Sequence, residues 1–247
     1  MAPTSQHRQE HTRQAIAERL GGAARHSYLG DFVLGAVDGA VTTFAIVAGA
    51  SGAGLSNGVV VVMGVANVLA DGLSMAASNF LRARSDHQLL ARSRQIEHRH
   101  IQQIPEGERE EIRQIFAAKG FEGETLERIV QTITADRDLW VNTMLAEEWK
   151  LSLHPPSPWK SGLATFTAFL LAGMIPLFPS LVALRGEAEG TFLYSSLLTA
   201  ATFLLVGFAR GKTVEGNPWW NAIETLSIGG AAAAVAYFVG AALERLA

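Results

Sequence analysis

Apolar residues along this chain are gathered into blocks, and charged residues fall between them. A helix that crosses a bilayer needs about 20 predominantly apolar residues. Five stretches meet that requirement, at 32–51, 58–81, 161–184, 191–209 and 223–243. The first two hold one charge each, Asp38 and Asp71. The segment 52–57, Gly-Ala-Gly-Leu-Ser-Asn, is turn chemistry and too short for anything but a hairpin between spans. Trp219 and Trp220 precede the last block like an interfacial aromatic belt.

Between the second and third blocks, the pattern changes to a helical period in a polar background. Segment 82–104 reads as a helix continuing out of the second span and stopped by Pro105. Further helices are expected at 106–119, with acids in the first turn, at 124–135 and at 138–153, before a Pro155-Pro156-Ser157-Pro158 linker. The chain therefore divides into an N-terminal arm (1–30), spans one and two (31–81), a helical insert (82–158) and spans three to five (159–247). The expected fold is an all-α membrane protein, with five transmembrane helices and a helical cytoplasmic metal-binding domain inserted between spans 2 and 3.

Composition sharpens this picture. Of 247 residues, 49% are hydrophobic and only 17% charged, below the quarter typical of soluble domains. The absence of Cys removes disulfides, thiolate metal sites and Cys nucleophiles. A net charge of −3 gives no reason to expect a nucleic-acid partner. No phosphate-binding loop or serine elbow occurs, so an enzyme is not expected. Basic residues sit in the arm (Arg8, Arg13, Arg19, Arg25), at Arg82 and Arg84, and at Arg210 and Lys212. The opposite loops offer only Arg185, with Arg245 at the C-terminus. The bias places the N-terminus and insert in the cytoplasm and the C-terminus across the membrane.

Candidate chemistry lies where acids enter apolar stripes. Glu97 and His100 share a helix face with Ile101 and Ile104; Glu108 and Glu111 share one with Ile112 and Ile115. Trp140, Met144, Glu148 and Leu151 form a third stripe. Carboxylates turned inward together need protons or cations to neutralise them. Carboxylate and imidazole suit Fe²⁺, Mn²⁺ or Zn²⁺, and the Met144 thioether tilts the set towards Fe²⁺ over Mg²⁺ or Ca²⁺. Glu97-x-x-His100 also matches an element of di-iron bundles, but it occurs once, which ranks a ferroxidase low. His7, His11 and His26 lie in the arm, His154 in the linker, and His87 and His98 are expected to face solvent.

An ionisable residue within a span costs about 2.5–3.5 kcal/mol on insertion scales and marks a functional site by default. Asp38 lies between Gly35 and Gly39, a spacing that lets another helix approach closely and suits a cation path between helices or subunits. Asn67, Asp71 and Met75 follow at four-residue steps on one face of the second block. Glu224 reads as an interfacial residue.

These residues carry a family resemblance. Asp31-Phe-Val-Leu-Gly-Ala-Val-Asp38-Gly-Ala-Val-Thr-Thr-Phe-Ala45 resembles the vacuolar iron transporter family, as does Ala66-Asn67-Val-Leu-Ala-Asp71-Gly-Leu-Ser-Met75 running to Phe80-Leu81. The insert does too, through Glu97, Pro105-Glu-Gly-Glu108-x-x-Glu111 and Trp140-x-x-x-Met144-x-x-x-Glu148. The resemblance spans roughly residues 29–245. It implies a homodimer moving Fe²⁺, and often Mn²⁺, Co²⁺ or Zn²⁺, out of the cytosol against a proton influx. It implies a path at the dimer interface with Asp38 and Met75 as transport ligands. It also implies an insert that gathers metal through Glu97, Glu108, Glu111, Met144 and Glu148, with no prosthetic group. His100 stands where the family usually has Glu, which keeps a ligand but lowers site charge. Asn67 stands where the family's second span can carry Glu, and Asp71 one turn later is the candidate substitute in proton coupling. A short chain without an organelle-targeting segment is expected in a bacterial plasma membrane, or in a vacuolar one if the host is eukaryotic. The alternative from another class is a membrane-anchored metal-binding or sensing protein that does not transport.

Overall fold

The computed structural model describes residues 12–21, 27–185, 190–213 and 216–244. His7, His11, His26, Arg8, Arg25 and Arg245 lie outside the described residues, as does the side chain of Arg19. Among the described residues the regular structure is helical: α1 (Arg13–Gly21), α2 (Leu29–Gly52), α3 (Asn57–Gln103), α4 (Pro105–Ala118), α5 (Gly123–Ala135), α6 (Arg137–Glu147), α7 (Pro158–Ala183), α8 (Thr191–Thr213) and α9 (Pro218–Glu244). Five of them, α2, α3, α7, α8 and α9, are long and apolar enough to cross a membrane. Their outward side chains are apolar rather than polar: Val62 is 71% exposed, Leu205 72% and Phe238 70%. Water would penalise such a surface and lipid would not.

The described residues form two compact units, one of 27–82 with those from 157 to 244, the other of 12–21 with 83–156. Helix α3 contributes to both. Its 47 residues run from an apolar first half into an Arg-rich second half.

In the five-helix unit, α2 packs most extensively on α7 and next on α9. Small residues permit this. A Cβ on Gly35 would lie 2.2 Å from the Thr165 carbonyl oxygen, and one on Gly39 2.5 Å from that of Phe169. The Gly-x-x-x-Gly pair flanking Asp38 is thus used within the chain, against the third span. Phe44, Val47, Val60, Val68 and Leu177 form the apolar core behind it. Pro176 and Pro179 lie inside α7, where buried Ser195 Oγ donates to the Pro176 carbonyl at 2.6 Å.

A polar knot joins one end of α2, α3 and α7. Asn79 Nδ2 donates to Thr165 Oγ1 at 2.7 Å and to the Ser161 carbonyl at 3.3 Å. Arg82 Nε donates to Asn79 Oδ1 at 3.0 Å, and Arg82 Nη2 pairs with buried Asp31 at 3.5 Å. Arg82 therefore ties together the spans it borders.

The second unit packs α4, α5 and α6 with the end of α3 around Ile112, Leu126, Val130, Ile133, Trp140 and Met144. Asp136 caps α6, accepting from the backbone N–H of Asp138 and Leu139. Helix boundaries depart from the sequence reading at four ends. Pro158 and Pro218 begin α7 and α9 instead of preceding them, because proline's fixed φ suits the first turn. Helix α6 stops at Glu147, not 153, since Lys150 takes a left-handed φ of 54°. Ile104, expected to face inward, is exposed because α3 ends at Gln103.

Packing at the α2–α7 seam should be intolerant of a single methyl. Gly39→Ala should cost about 1–3 kcal/mol through overpacking and lower the thermal midpoint in detergent. Gly230→Ala, where nothing lies within 4 Å of the new Cβ, should leave it unchanged. Equal midpoints for both variants would contradict the seam.

Candidate functional site

The second unit brings five of its six sequence-predicted site residues into one electrostatic neighbourhood. Glu97 and His100 come from α3, Glu108 and Glu111 from α4, and Glu148 from just beyond α6. Glu97 is 1% exposed and Glu108 3%, although each is a carboxylate. His100 is half-buried, whereas Glu111 and Glu148 are exposed. Each buried acid has one oxygen engaged and one without a donor. Glu97 Oε1 accepts from Trp149 Nε1 at 2.7 Å, and Glu108 Oε1 lies 3.2 Å from His100 Nδ1. Glu97 Oε2 and Glu108 Oε2 are buried with no hydrogen-bond donor.

Electrostatics follow from this crowding. Burial first, then the charges of Glu111 and Glu97, push the Glu108 carboxyl up to about 8. Glu148 is also raised, by burial and by Glu97 and Glu111, with His100 opposing. A divalent cation would relieve the same repulsion that the proton relieves. Among the described residues no three His, Asp or Glu side chains already converge as a metal site. Met144 is fully buried in the apolar cluster with Trp140 and Ile112.

In the five-helix unit Asp38 and Asp71 come within range of each other's charge. Both are half-buried, as are Asn67 and Met75 on the same face of α3 as Asp71. Asn67 Nδ2 is buried without an acceptor. Thr42 Oγ1 donates to the Asp38 carbonyl at 2.8 Å, leaving the Asp38 carboxyl outside that bond.

Sequence reasoning passed over two groups. One is Trp149, whose bond to Glu97 crosses 52 positions and follows no helical spacing. The other is the Asp31–Asn79–Arg82–Thr165 knot. Its one local signal is Arg82 three residues after Asn79 at the end of an apolar block.

Five membrane-length helices, beside a helical unit that buries two carboxylates, define an integral membrane protein. Comparison with known proteins names the group. A model of the VIT family matches residues 29–241, most of the chain, and the chain belongs to that family. It is 34% identical to "Vacuolar iron transporter" of Toxoplasma gondii over 98% of this chain and 79% of that one. It is 30% identical to "Vacuolar iron transporter 1" of Eucalyptus grandis and of Arabidopsis thaliana, in each case over 87% of this chain and 86% of the relative.

The buried acids make stability depend on pH in a definite direction. Between the ordinary 4.5 and about 8, native Glu108 holds a proton that the unfolded chain has released. The native state then binds more protons, so stability falls as pH rises through that window. In chelator, the melting temperature of the second unit should drop by several degrees from pH 5 to pH 8. Glu108→Gln, which cannot ionise, should flatten the drop. A wild-type profile that rises across the window would contradict the buried pair.

Proposed function

We propose that this protein carries Fe²⁺, and related ions such as Mn²⁺, Co²⁺ and Zn²⁺, out of the cytosol in exchange for protons, along a path between two copies of the chain. The observation that carries the reading is the pair of acids, Asp38 and Asp71, set within charge range among five membrane-length helices. The names of its relatives point to iron. Apolar surroundings penalise carboxylates unless a cation or proton neutralises them, and a carboxylate must lose its proton to bind a metal. If opposite faces open in turn, that competition alone exchanges metal for protons.

On this reading Asp38 and Met75 are transport ligands, with oxygen and thioether suited to Fe²⁺. Asn67 and Asp71, two turns and one turn before Met75, line the same face. Asp71 takes the proton-coupling role that Asn67 cannot perform, because an amide does not titrate. The second unit is the cytoplasmic collector. Glu111 and Glu148, being exposed, meet the hydrated ion first. Glu97, His100 and Glu108 then hold it, and Met144 joins from the adjoining apolar cluster.

The reading is tested by Fe²⁺ flux into proteoliposomes under an imposed pH gradient. Wild-type flux should need the gradient, Asp38→Ala should abolish it, and Glu108→Ala/Glu111→Ala should slow it without stopping it. Flux unchanged when the gradient is collapsed would remove proton exchange. No wild-type flux alongside metal binding would leave a membrane-anchored binding or sensing protein, and Fe²⁺ oxidation would restore the ferroxidase alternative.

A further inference from the structure

Trp149 follows the end of α6, where the chain turns through left-handed Lys150. A Lys at such a position lacks the conformational ease of Gly or Asn. The turn includes a bond from Leu151 N–H to the Leu145 carbonyl at 3.0 Å. In the turn, Trp149 Nε1 meets Glu97 Oε1 at 2.7 Å. An indole N–H can only donate, so Trp149 cannot be a ligand. It acts through the carboxylate it holds.

That carboxylate is 1% exposed, and its other oxygen has no donor. Chelation of one ion by both Glu97 oxygens would make Oε1 serve the cation and the indole N–H at once, each weakening the other's bond. Moving the indole aside would strand a polar N–H with the loss of a charge-assisted bond. Binding through Oε2 alone costs neither. The same division appears on the facing acid, where His100 stands by Glu108 Oε1 and Glu108 Oε2 is without a donor.

We infer that Trp149 is a positioning residue that makes Glu97 a one-oxygen ligand and so sets the selectivity of the acid site for transition-metal divalent ions over Ca²⁺. The inference rests on the metal-collecting role proposed above. Ca²⁺ takes six to eight oxygens and relies on two-oxygen carboxylates to reach that number. Fe²⁺, Mn²⁺, Co²⁺ and Zn²⁺ accept fewer ligands and gain from the imidazole of His100. Partners that orient a ligand commonly contribute about 10–100-fold to metal affinity.

The test uses the full chain in detergent, titrated with Co²⁺ and with Ca²⁺. Wild type should bind Co²⁺ far more tightly than Ca²⁺. Trp149→Phe, which keeps a ring and loses the N–H, should weaken Co²⁺ by about tenfold and leave Ca²⁺ unchanged or tighter. It should also alter the Co²⁺ d–d absorption as the carboxylate changes mode. Loss of both ions by the same factor, or no change in either, would overturn the selectivity role. Failure of wild type to bind Co²⁺ would overturn the collecting role, and this inference with it. A second measurement does not depend on the binding properties of the variant. The Trp149 indole ¹⁵N–¹H resonance of wild type, identified by its absence from Trp149→Phe, should remain hydrogen-bonded and slow to exchange when Zn²⁺ saturates the site. Release of that N–H on adding Zn²⁺ would overturn one-oxygen binding.

Discussion

An anion taken out of water must shed its charge, meet a counter-charge or distort its surroundings. That constraint governs both units of this protein. Glu97 and Glu108 are buried together, and what surrounds them is unequal to two negative charges. The indole N–H reaches one oxygen of Glu97 and the imidazole one oxygen of Glu108, and the other two have no donor. The proton that Glu108 retains up to about 8 is the local answer. A divalent ion would be the alternative answer.

The membrane-length helices meet the constraint by different means. Several polar groups that hold helices together have partners: Asn79 binds Thr165, Arg82 binds Asn79 and Asp31, and Ser195 binds the Pro176 carbonyl. The acids Asp38 and Asp71 instead face each other's charge. The close seam of Gly35 and Gly39 on α7 brings the α2 backbone so near Thr165 and Phe169 that α2 has little freedom to turn Asp38 elsewhere. Packing thereby holds Asp38 within range of the Asp71 charge.

The sequence disclosed much of this for specific reasons. Bilayer thickness forces apolar runs of a set length, so the five long helices were legible from composition along the chain. Helical spacing put Glu97, Glu108 and Glu148 on inward stripes, and five of the six insert residues do share one electrostatic neighbourhood. Spacing alone could not rank their burial, and it treated Glu111 and Glu97 alike although one is exposed and the other buried. The end of α6 was hidden because the left-handed residue is a Lys, which carries no stop signal. Trp149–Glu97 and Arg82–Asp31 join residues 52 and 51 positions apart. No local pattern encodes such contacts.

The graded exposure within the acid cluster bears on how a hydrated ion could be handled. Divalent ions give up their water reluctantly, and a wholly buried site would require that loss before any ligand had bound. Exposed Glu111 and Glu148 can attract an ion that still holds its hydration shell. Buried Glu97 and Glu108 can then replace water with oxygens already stripped of solvent. On the proposed reading the proton on Glu108 leaves as the ion arrives, so binding weakens as pH falls. On that reading, acidification loosens the ion's hold on the collector, and the intramembrane acids work by the same exchange.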